Sequence, residues 1–161
     1  ICEYGGGLGL VAYYANALGC PNYTIFDLPL INLFAGNFLI HSLGADAVRL
    51  FGEESPTAKV HVLPFWECMN VHDGAYSLAL NQDSFPEIDP VLVLDYFRQI
   101  KRTTTMYFLS INQEGQAAMG SRSQNAVPDL LRGFPDFKRL YRMKYWIREG
   151  YVEELYKLHG K

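Results

Sequence analysis

A glycine-rich segment near the start of the sequence has the composition of a ligand-binding turn. Gly5, Gly6, Gly7 and Gly9 follow Glu3, between the tail of a predicted strand and the start of a helical pattern. Glycine has no Cβ, so the backbone can bend sharply there and approach a ligand closely. The helix that follows adds free N–H groups and the positive end of its dipole. The segment therefore predicts a turn that binds a small molecule.

An acidic residue at the end of the next predicted strand completes the pattern. Asp27 follows the β-branched and aromatic stretch 23–26, and it lies 18 residues beyond Gly9. In a doubly wound α/β fold, a carboxylate at this point can accept both hydroxyls of an adenosine ribose. The turn and Asp27 together predict a cofactor that contains a nucleoside.

Two cofactors compete for this pattern. Gly7, Gly9 and Ala12 satisfy the dinucleotide fingerprint, which predicts an NAD(P)-dependent oxidoreductase. That fold prefers a small apolar residue at the position of Glu3, however, and its ligand brings a negative pyrophosphate. S-adenosylmethionine has no phosphate and carries a positive sulfonium and amino group. Residues 1–97 contain 11 acidic and two basic side chains, against six acidic and 12 basic in 98–161, and this charge favours S-adenosylmethionine.

Length and composition limit the class of protein. The chain has 161 residues, of which 49% are hydrophobic and 19% charged, which excludes a disordered scaffold and predicts one domain. No apolar run is long enough to span a membrane. Cys2, Cys20 and Cys68 show no disulfide spacing, which predicts a reduced, cytoplasmic protein. The acidic half disfavours nucleic acid as a partner, and the oligomeric state is not predicted. Because the sequence begins with Ile1 rather than Met and reaches the glycine turn after only Cys2, Glu3 and Tyr4, we expect an N-terminally truncated fold.

The elements that must position these residues follow from apolar spacing. Helices are predicted over 8–18, 29–43 and 90–101, and strands over 1–4, 23–26, 48–51, 59–63, 75–81 and 105–111. Residues 113–128 are predicted as an irregular loop, and 137–147 and 151–158 as a terminal strand pair. The strand at 105–111 is nearly all apolar, so we expect it to be buried on both faces. The fold class is α/β: a doubly wound, mostly parallel sheet with a terminal antiparallel pair.

The glycine turn, Asp27 and this order of elements resemble class I S-adenosylmethionine-dependent methyltransferases. The segments 23–29 (YTIFDLP), 81–88 (NQDSFPEI), 108–114 (FLSINQE) and 145–156 are more narrowly similar to the sugar O-methyltransferase family. The resemblance implies a Rossmann-like methyltransferase domain over 1–161, with a cofactor-binding half at about 1–82 and an acceptor side with a terminal hairpin at about 83–161. It also implies methyl transfer to a hydroxyl of a sugar or glycosylated small molecule.

The resemblance also implies roles for individual residues. The methionine end of the cofactor is expected at Glu3, Gly5, Gly7 and Gly9, the ribose at Asp27, the adenine at Leu28 and Phe65, and the sulfonium beside Asn81. A methyltransferase-like domain that binds without catalysing is a further possibility.

A sugar hydroxyl is a poor nucleophile, so a general base is expected within hydrogen-bond reach. The candidates are Asp83, Glu87 and His72, with Glu114 after the fifth main strand, and Asp83 is the first choice. The four histidines show no paired ligand spacing, and the loop acids show no spacing typical of a cation site. No metal is therefore predicted.

Overall fold

The computed structural model of the chain describes residues 1–116, 118–119 and 122–158. The contacts divide the chain into two compact units, Ile1–Val71 and His72–Lys161. Both units contain parallel strands joined through helices, and the second also contains the antiparallel pair. The α/β class, with mostly parallel strands and a terminal antiparallel pair, is thus confirmed. The assignment of 1–161 to a single domain stays a prediction.

The first unit alternates strands and helices. Its elements are β1 (Cys2–Tyr4), α1 (Leu10–Ala17), β2 (Tyr23–Asp27), α2 (Pro29–Leu43), β3 (Val48–Leu50) and β4 (Val60–Pro64). The strands pair in the order β3-β4-β2-β1, and all of them are parallel. The register pairs Asp27 with Pro64, so the ends of β2 and β4 lie side by side at the carboxyl edge. Ligands of open α/β sheets bind at this edge.

Apolar side chains of strands and helices form the core of the first unit. Its fully buried members are Ala12, Tyr23, Ile25, Ala35, Leu39, Val48, Val60 and Val62. Helix α2 begins at Pro29, since the first helical position needs no N–H donor and the fixed φ of proline suits it. This start places α2 directly after Asp27 and Leu28, so the helix begins where the cofactor is expected.

The second unit contains the remaining elements. They are β5 (Tyr76–Gln82), α3 (Pro90–Thr103), β6 (Thr104–Gln113), β7 (Ala118–Met119), β8 (Arg122–Ser123), α4 (Val127–Leu131), β9 (Phe137–Lys144) and β10 (Tyr151–Leu158). The main strands pair in the order β5-β6-β10-β9, with β5 and β6 parallel and β10 antiparallel to both of its neighbours. Asp89 caps α3 by accepting a hydrogen bond from the Val91 N–H at 2.9 Å. Aromatic rings in mutual contact form the core: Phe85, Tyr96, Phe97, Phe108, Phe134, Phe137 and Tyr156.

Two expectations differ from the structure. The predicted loop 113–128 contains β7, β8 and the start of α4, because elements of two to five residues are too short to show a period. Strand β6 is not buried on both faces: Met106 is exposed and Leu109 is half-buried. The helix α3 packs on the face that carries Phe108, where the Phe97 ring lies 6.0 Å away. Leu109 points to the opposite face, since side chains alternate along a strand.

None of the helices formed by the described residues has the length and apolar character needed to cross a bilayer. Within the same residues, no three His, Cys, Asp or Glu side chains come together as a group that could hold a metal ion.

Candidate functional site

The glycine turn between β1 and α1 is tightly packed on one side and open on the other. Gly7 has a φ of 56°, a left-handed conformation that favours glycine, and a Cβ built there meets no atom within 4 Å. A Cβ built at Gly6 would lie 2.8 Å from Ile25 Cγ2 of β2. Gly6 therefore lets the turn lie directly on the sheet, whereas Gly7 borders the space in which a ligand can bind.

Asp27 fastens this turn to the end of β2. Its Oδ2 accepts a hydrogen bond from the Gly7 N–H at 2.9 Å, and its Oδ1 accepts one from the Leu28 N–H at 2.7 Å. Partial burial raises the pKa of the Asp27 carboxyl, and these two backbone donors act against that rise. Each carboxylate oxygen keeps a second lone pair, so both can still accept a ribose hydroxyl. The sequence predicted that Asp27 binds the ribose, but it did not predict that Asp27 holds the glycine turn in place.

Glu3 lies beneath the glycine turn. Its side chain is 2% exposed, and a Cβ built at Gly6 would come within 3.0 Å of its Oε2. The Tyr23 hydroxyl donates a hydrogen bond to the same oxygen at 2.8 Å. Burial raises the pKa of Glu3 from 4.5 to about 7, the Tyr23 hydrogen bond opposes this, and nearby Asp27 adds to it. A positive ligand group at the turn would favour the ionised form of Glu3.

An apolar cavity of about 230 Å³ opens beside the end of β4. Its walls are Pro29, Asn32, Leu33, Leu50, Phe51, Val62, Pro64 and Trp66. Asn32 connects it to the carboxyl edge, since Asn32 Nδ2 donates to the Asp27 backbone oxygen at 3.3 Å. Asn32 Oδ1 is buried and accepts no hydrogen bond from the residues that the structure describes. The apolar walls of the cavity thus suit a flat apolar ring.

The two residues predicted to contact adenine lie near this cavity. Leu28 is 57% exposed directly before α2. The Phe65 ring meets the Trp66 ring edge-on, with centroids 5.1 Å apart, and so supports one wall of the cavity. Sequence reasoning missed Asn32 and Trp66. The first-turn position of Asn32 in the helix after Asp27 is the signal that could have found it.

In the second unit, Asp83 directly follows β5 and has an unusual conformation. Its φ is 60°, and among the described residues it is the one non-glycine residue with a positive φ. Its backbone N–H donates to the Ile111 oxygen at 3.0 Å and to Asn112 Oδ1 at 3.1 Å. This strained conformation lies where acceptor chemistry was predicted, and strain of this kind is concentrated at functional sites.

The Asp83 carboxylate has two partners from the terminal hairpin. Oδ2 forms an ion pair with the Arg148 guanidinium, and Oδ1 accepts a hydrogen bond from the Tyr151 hydroxyl. The Arg148 guanidinium also lies 4.0 Å from the centroid of the Tyr151 ring. Burial and the hydrogen bond to Asp83 raise the pKa of Tyr151 to about 12, which keeps its hydroxyl protonated as a donor. Sequence reasoning missed both partners, because nothing local to Asp83 points to residues so distant in the chain.

Asn81 is fully buried on β5. Its Oδ1 accepts a hydrogen bond from Asn112 Nδ2 at 2.9 Å, and its Nδ2 donates to the Ser84 hydroxyl. Asn112 also accepts the Asp83 N–H, so Asn81 supports the conformation of Asp83 through Asn112. Its predicted contact with a sulfonium stays a prediction, because a side chain without exposed surface must first give up these bonds.

The other candidate bases lie at different ends of the second unit. Glu87 is exposed at the end of a short 3-10 helix (Phe85–Glu87) after β5, and its Oε1 accepts a hydrogen bond from Gln124 Nε2 at 3.4 Å. Glu114 follows β6, and its Oε1 forms an ion pair with Arg142 Nη2 at 3.3 Å. It also lines a cavity of about 530 Å³. His72 precedes β5 and lies at the amino end of that strand, whereas Asp83 and Glu87 lie at its carboxyl end. The fold therefore brings Asp83 and Glu87 to one edge and leaves His72 at the other.

Several solved structures have the same fold as this chain. The PH0226 protein from Pyrococcus horikoshii OT3 matches with a TM-score of 0.72 at 11% identity, over 98% of this chain and 81% of that chain. A second match is magnesium protoporphyrin IX methyltransferase (ChlM) from Synechocystis PCC 6803, solved with bound S-adenosylmethionine. Its TM-score is 0.66 at 12% identity, over 99% of this chain and 69% of that chain. The chain has the fold of these proteins. The [4+2]-cyclase SpnF has this fold as well, with a TM-score of 0.74 at 12% identity over 98% of this chain and 73% of that chain.

No protein-family model matches the sequence, and no curated protein does. At the identities found, the likeness is one of fold, and a fold alone does not determine a reaction. The chemistry of this chain has to be argued from its own side chains.

Proposed function

We propose that this protein is an S-adenosylmethionine-dependent O-methyltransferase that acts on a hydroxyl of a sugar or glycosylated small molecule. The observation that carries the proposal is the buried carboxyl of Glu3 beneath the glycine turn. A sulfonium and an ammonium group are attracted by that carboxylate, whereas the pyrophosphate of a dinucleotide is repelled by it. The structure of ChlM with bound S-adenosylmethionine shows that a protein of this fold binds this cofactor.

The residues of the first unit fit the parts of S-adenosylmethionine. We assign the methionine end to the turn formed by Glu3, Gly5, Gly7 and Gly9, the ribose to Asp27, and the adenine to Leu28, Phe65 and the apolar cavity. The apolar walls of that cavity suit the flat ring of adenine. When bound, the cofactor would supply an electrophilic methyl group for transfer to an oxygen nucleophile.

We assign the acceptor to the carboxyl end of β5. The acceptor hydroxyl loses its proton during transfer, and Asp83 is our choice for the group that receives it, with Glu87 as the alternative. Both Asp83 oxygens already accept bonds from Arg148 and Tyr151, so the acceptor hydroxyl must use a remaining lone pair. None of the three cysteines forms a disulfide, which fits a reducing compartment, and we propose a cytoplasmic location.

Calorimetry with S-adenosylhomocysteine and with NADH tests the cofactor. We expect binding of S-adenosylhomocysteine, and tighter binding of NADH would instead support the oxidoreductase that Gly7, Gly9 and Ala12 allow. Transfer of a labelled methyl group to methyl glucoside and methyl rhamnoside, with catechol as a non-sugar acceptor, tests the reaction. Binding of S-adenosylhomocysteine without transfer to any acceptor would favour a domain that binds without catalysing.

A further inference from the structure

The turn between β9 and β10 contacts the carboxylate of Asp83 and the backbone of Glu114, two of the predicted candidate bases. The Glu114 N–H donates to the Gly150 oxygen at 2.8 Å, which fixes the end of the turn beside the end of β6. Arg148 and Tyr151 fix it to Asp83 through the ion pair and the hydrogen bond described above. Three separate contacts therefore hold the turn 145–150 at the carboxyl edge of the second unit.

Two large apolar side chains project from this turn. Trp146 is 86% exposed and Ile147 is 64% exposed, although both belong to residue types that usually bury most of their surface. Trp146 is the most exposed aromatic residue in the part of the chain that the structure describes, and its indole stacks on none of the rings there. An indole in this position contributes little to the stability of the hairpin, so its surface is available to a ligand.

We propose that Trp146 is the platform on which the sugar ring of the acceptor stacks, which makes it a residue that determines acceptor specificity. The inference rests on the proposed function, and it names the sugar ring as the part of the acceptor that binds to the turn. One face of a pyranose ring presents several C–H groups. The face of an indole carries partial negative charge, so it attracts these C–H groups while it covers apolar surface.

The polar side chains around Asp83 complement the rim of such a ring. The Asp83 and Glu87 carboxylates and the amide of Gln124 lie on the segments next to the end of β5, and Gln124 links Glu87 to Gln113 through hydrogen bonds. Carboxylates and amides are the groups that bind sugar hydroxyls, because they accept and donate in several directions. The turn that carries Trp146 is joined to Asp83 through Arg148, and an aromatic platform on that turn would suit a ligand with an apolar face and a hydroxylated rim. A purely apolar acceptor would leave these polar groups without partners.

The substitutions Trp146→Ala and Trp146→Phe test the platform, and Leu18→Ala is the matched control. Leu18 is also highly exposed, but it follows α1 in the first unit, outside the proposed acceptor edge. We expect Trp146→Ala to raise KM for methyl glucoside and methyl rhamnoside about tenfold, equivalent to about 1.4 kcal/mol. Trp146→Phe should raise it less, because a phenyl ring keeps part of the stacking surface. Leu18→Ala should leave KM unchanged, and the affinity for S-adenosylhomocysteine should be the same in all variants.

Tryptophan fluorescence gives a readout that does not depend on turnover. The chain has two tryptophans, so a glycoside-induced change that is present in the wild type and lost in Trp146→Phe reports on Trp146. Methylation of glycosides with unchanged KM in Trp146→Ala and no fluorescence change would overturn the platform while the proposed function stands. If no glycoside binds or is methylated although S-adenosylhomocysteine binds, the sugar acceptor itself is wrong and the platform is wrong with it.

Discussion

Replacing Glu3 by glutamine should make the protein more stable at alkaline pH while weakening its cofactor site. Glutamine has nearly the same shape, and its side-chain oxygen can still accept the hydrogen bond from Tyr23. Ionised Glu3, in contrast, must keep a negative charge in a position that is 2% exposed. The substitution therefore removes the cost of burying that charge and leaves the packing beneath the turn in place.

The magnitude follows from the pKa of Glu3. Burial raises this pKa from 4.5 to about 7, so the folded protein binds a proton between these values that the unfolded chain releases. The free energy of unfolding of the wild type consequently falls as the pH rises through this window. The full shift corresponds to about 3 kcal/mol, of which about 2.5 kcal/mol is lost between about pH 5 and pH 8. The glutamine variant has no such group, so the difference between the two proteins should grow by that amount.

Urea unfolding of both proteins at several pH values measures the effect. Other titrating groups cancel in the difference, because only position 3 changes. Tyr23→Phe is a useful control: it removes the donor that holds the pKa of Glu3 down, so its pH-dependent loss of stability should extend to higher pH. Parallel stability curves for the wild type and Glu3→Gln from about pH 5 to pH 8 would refute our account of the buried charge.

The protonation of Glu3 should also make cofactor binding depend on pH. Substitutions of Asp27 and Asp83 test the ribose site and the general base. Affinity for S-adenosylmethionine should fall by up to about tenfold between about pH 8 and pH 6 in the wild type as Glu3 becomes protonated, and calorimetry should show no such fall in Glu3→Gln. Asp27→Asn should weaken binding of S-adenosylhomocysteine by about 1–3 kcal/mol, and an unchanged affinity would show that the ribose is bound elsewhere. Asp83→Asn should lower kcat by about 10²-fold or more if Asp83 accepts the proton. Asp83→Ala should in addition unfold at lower urea than Asp83→Asn, because asparagine tolerates the positive φ better than alanine does.

The features that sequence predicted well are those determined by neighbouring residues. The glycine turn joins β1 to α1, and Asp27 and Pro29 lie where β2 meets α2. In each of these two strand-turn-helix units, composition and spacing specify both the conformation and the edge of the sheet. Helix α3 was predicted to within two residues at its end, since its apolar period is long and regular. Helix α4 was missed, because five residues do not show a period.

The state of each site residue was harder to predict, because it depends on contacts between distant residues. Glu3 was expected to meet a cation, but its burial and its hydrogen bond from Tyr23 follow from how β2 packs beside β1. Asn81 was expected at the sulfonium, yet Asn112 and Ser84 occupy its amide. Residue type and position identified the candidate groups, whereas their protonation and accessibility became visible only from the pairing of strands.

The partners of Asp83 connect acceptor chemistry to the end of the chain. Arg148 and Tyr151 occupy both carboxylate oxygens, and the turn that carries Arg148 also carries Trp146. Any acceptor that shares the lone pairs of Asp83 must therefore lie next to the same turn. Substitutions in the turn that leave Arg148 intact should alter acceptor choice, whereas loss of Arg148 should alter both acceptor choice and the orientation of Asp83. The terminal hairpin is thus where changes in acceptor specificity can arise without changes to the glycine turn or to Asp27.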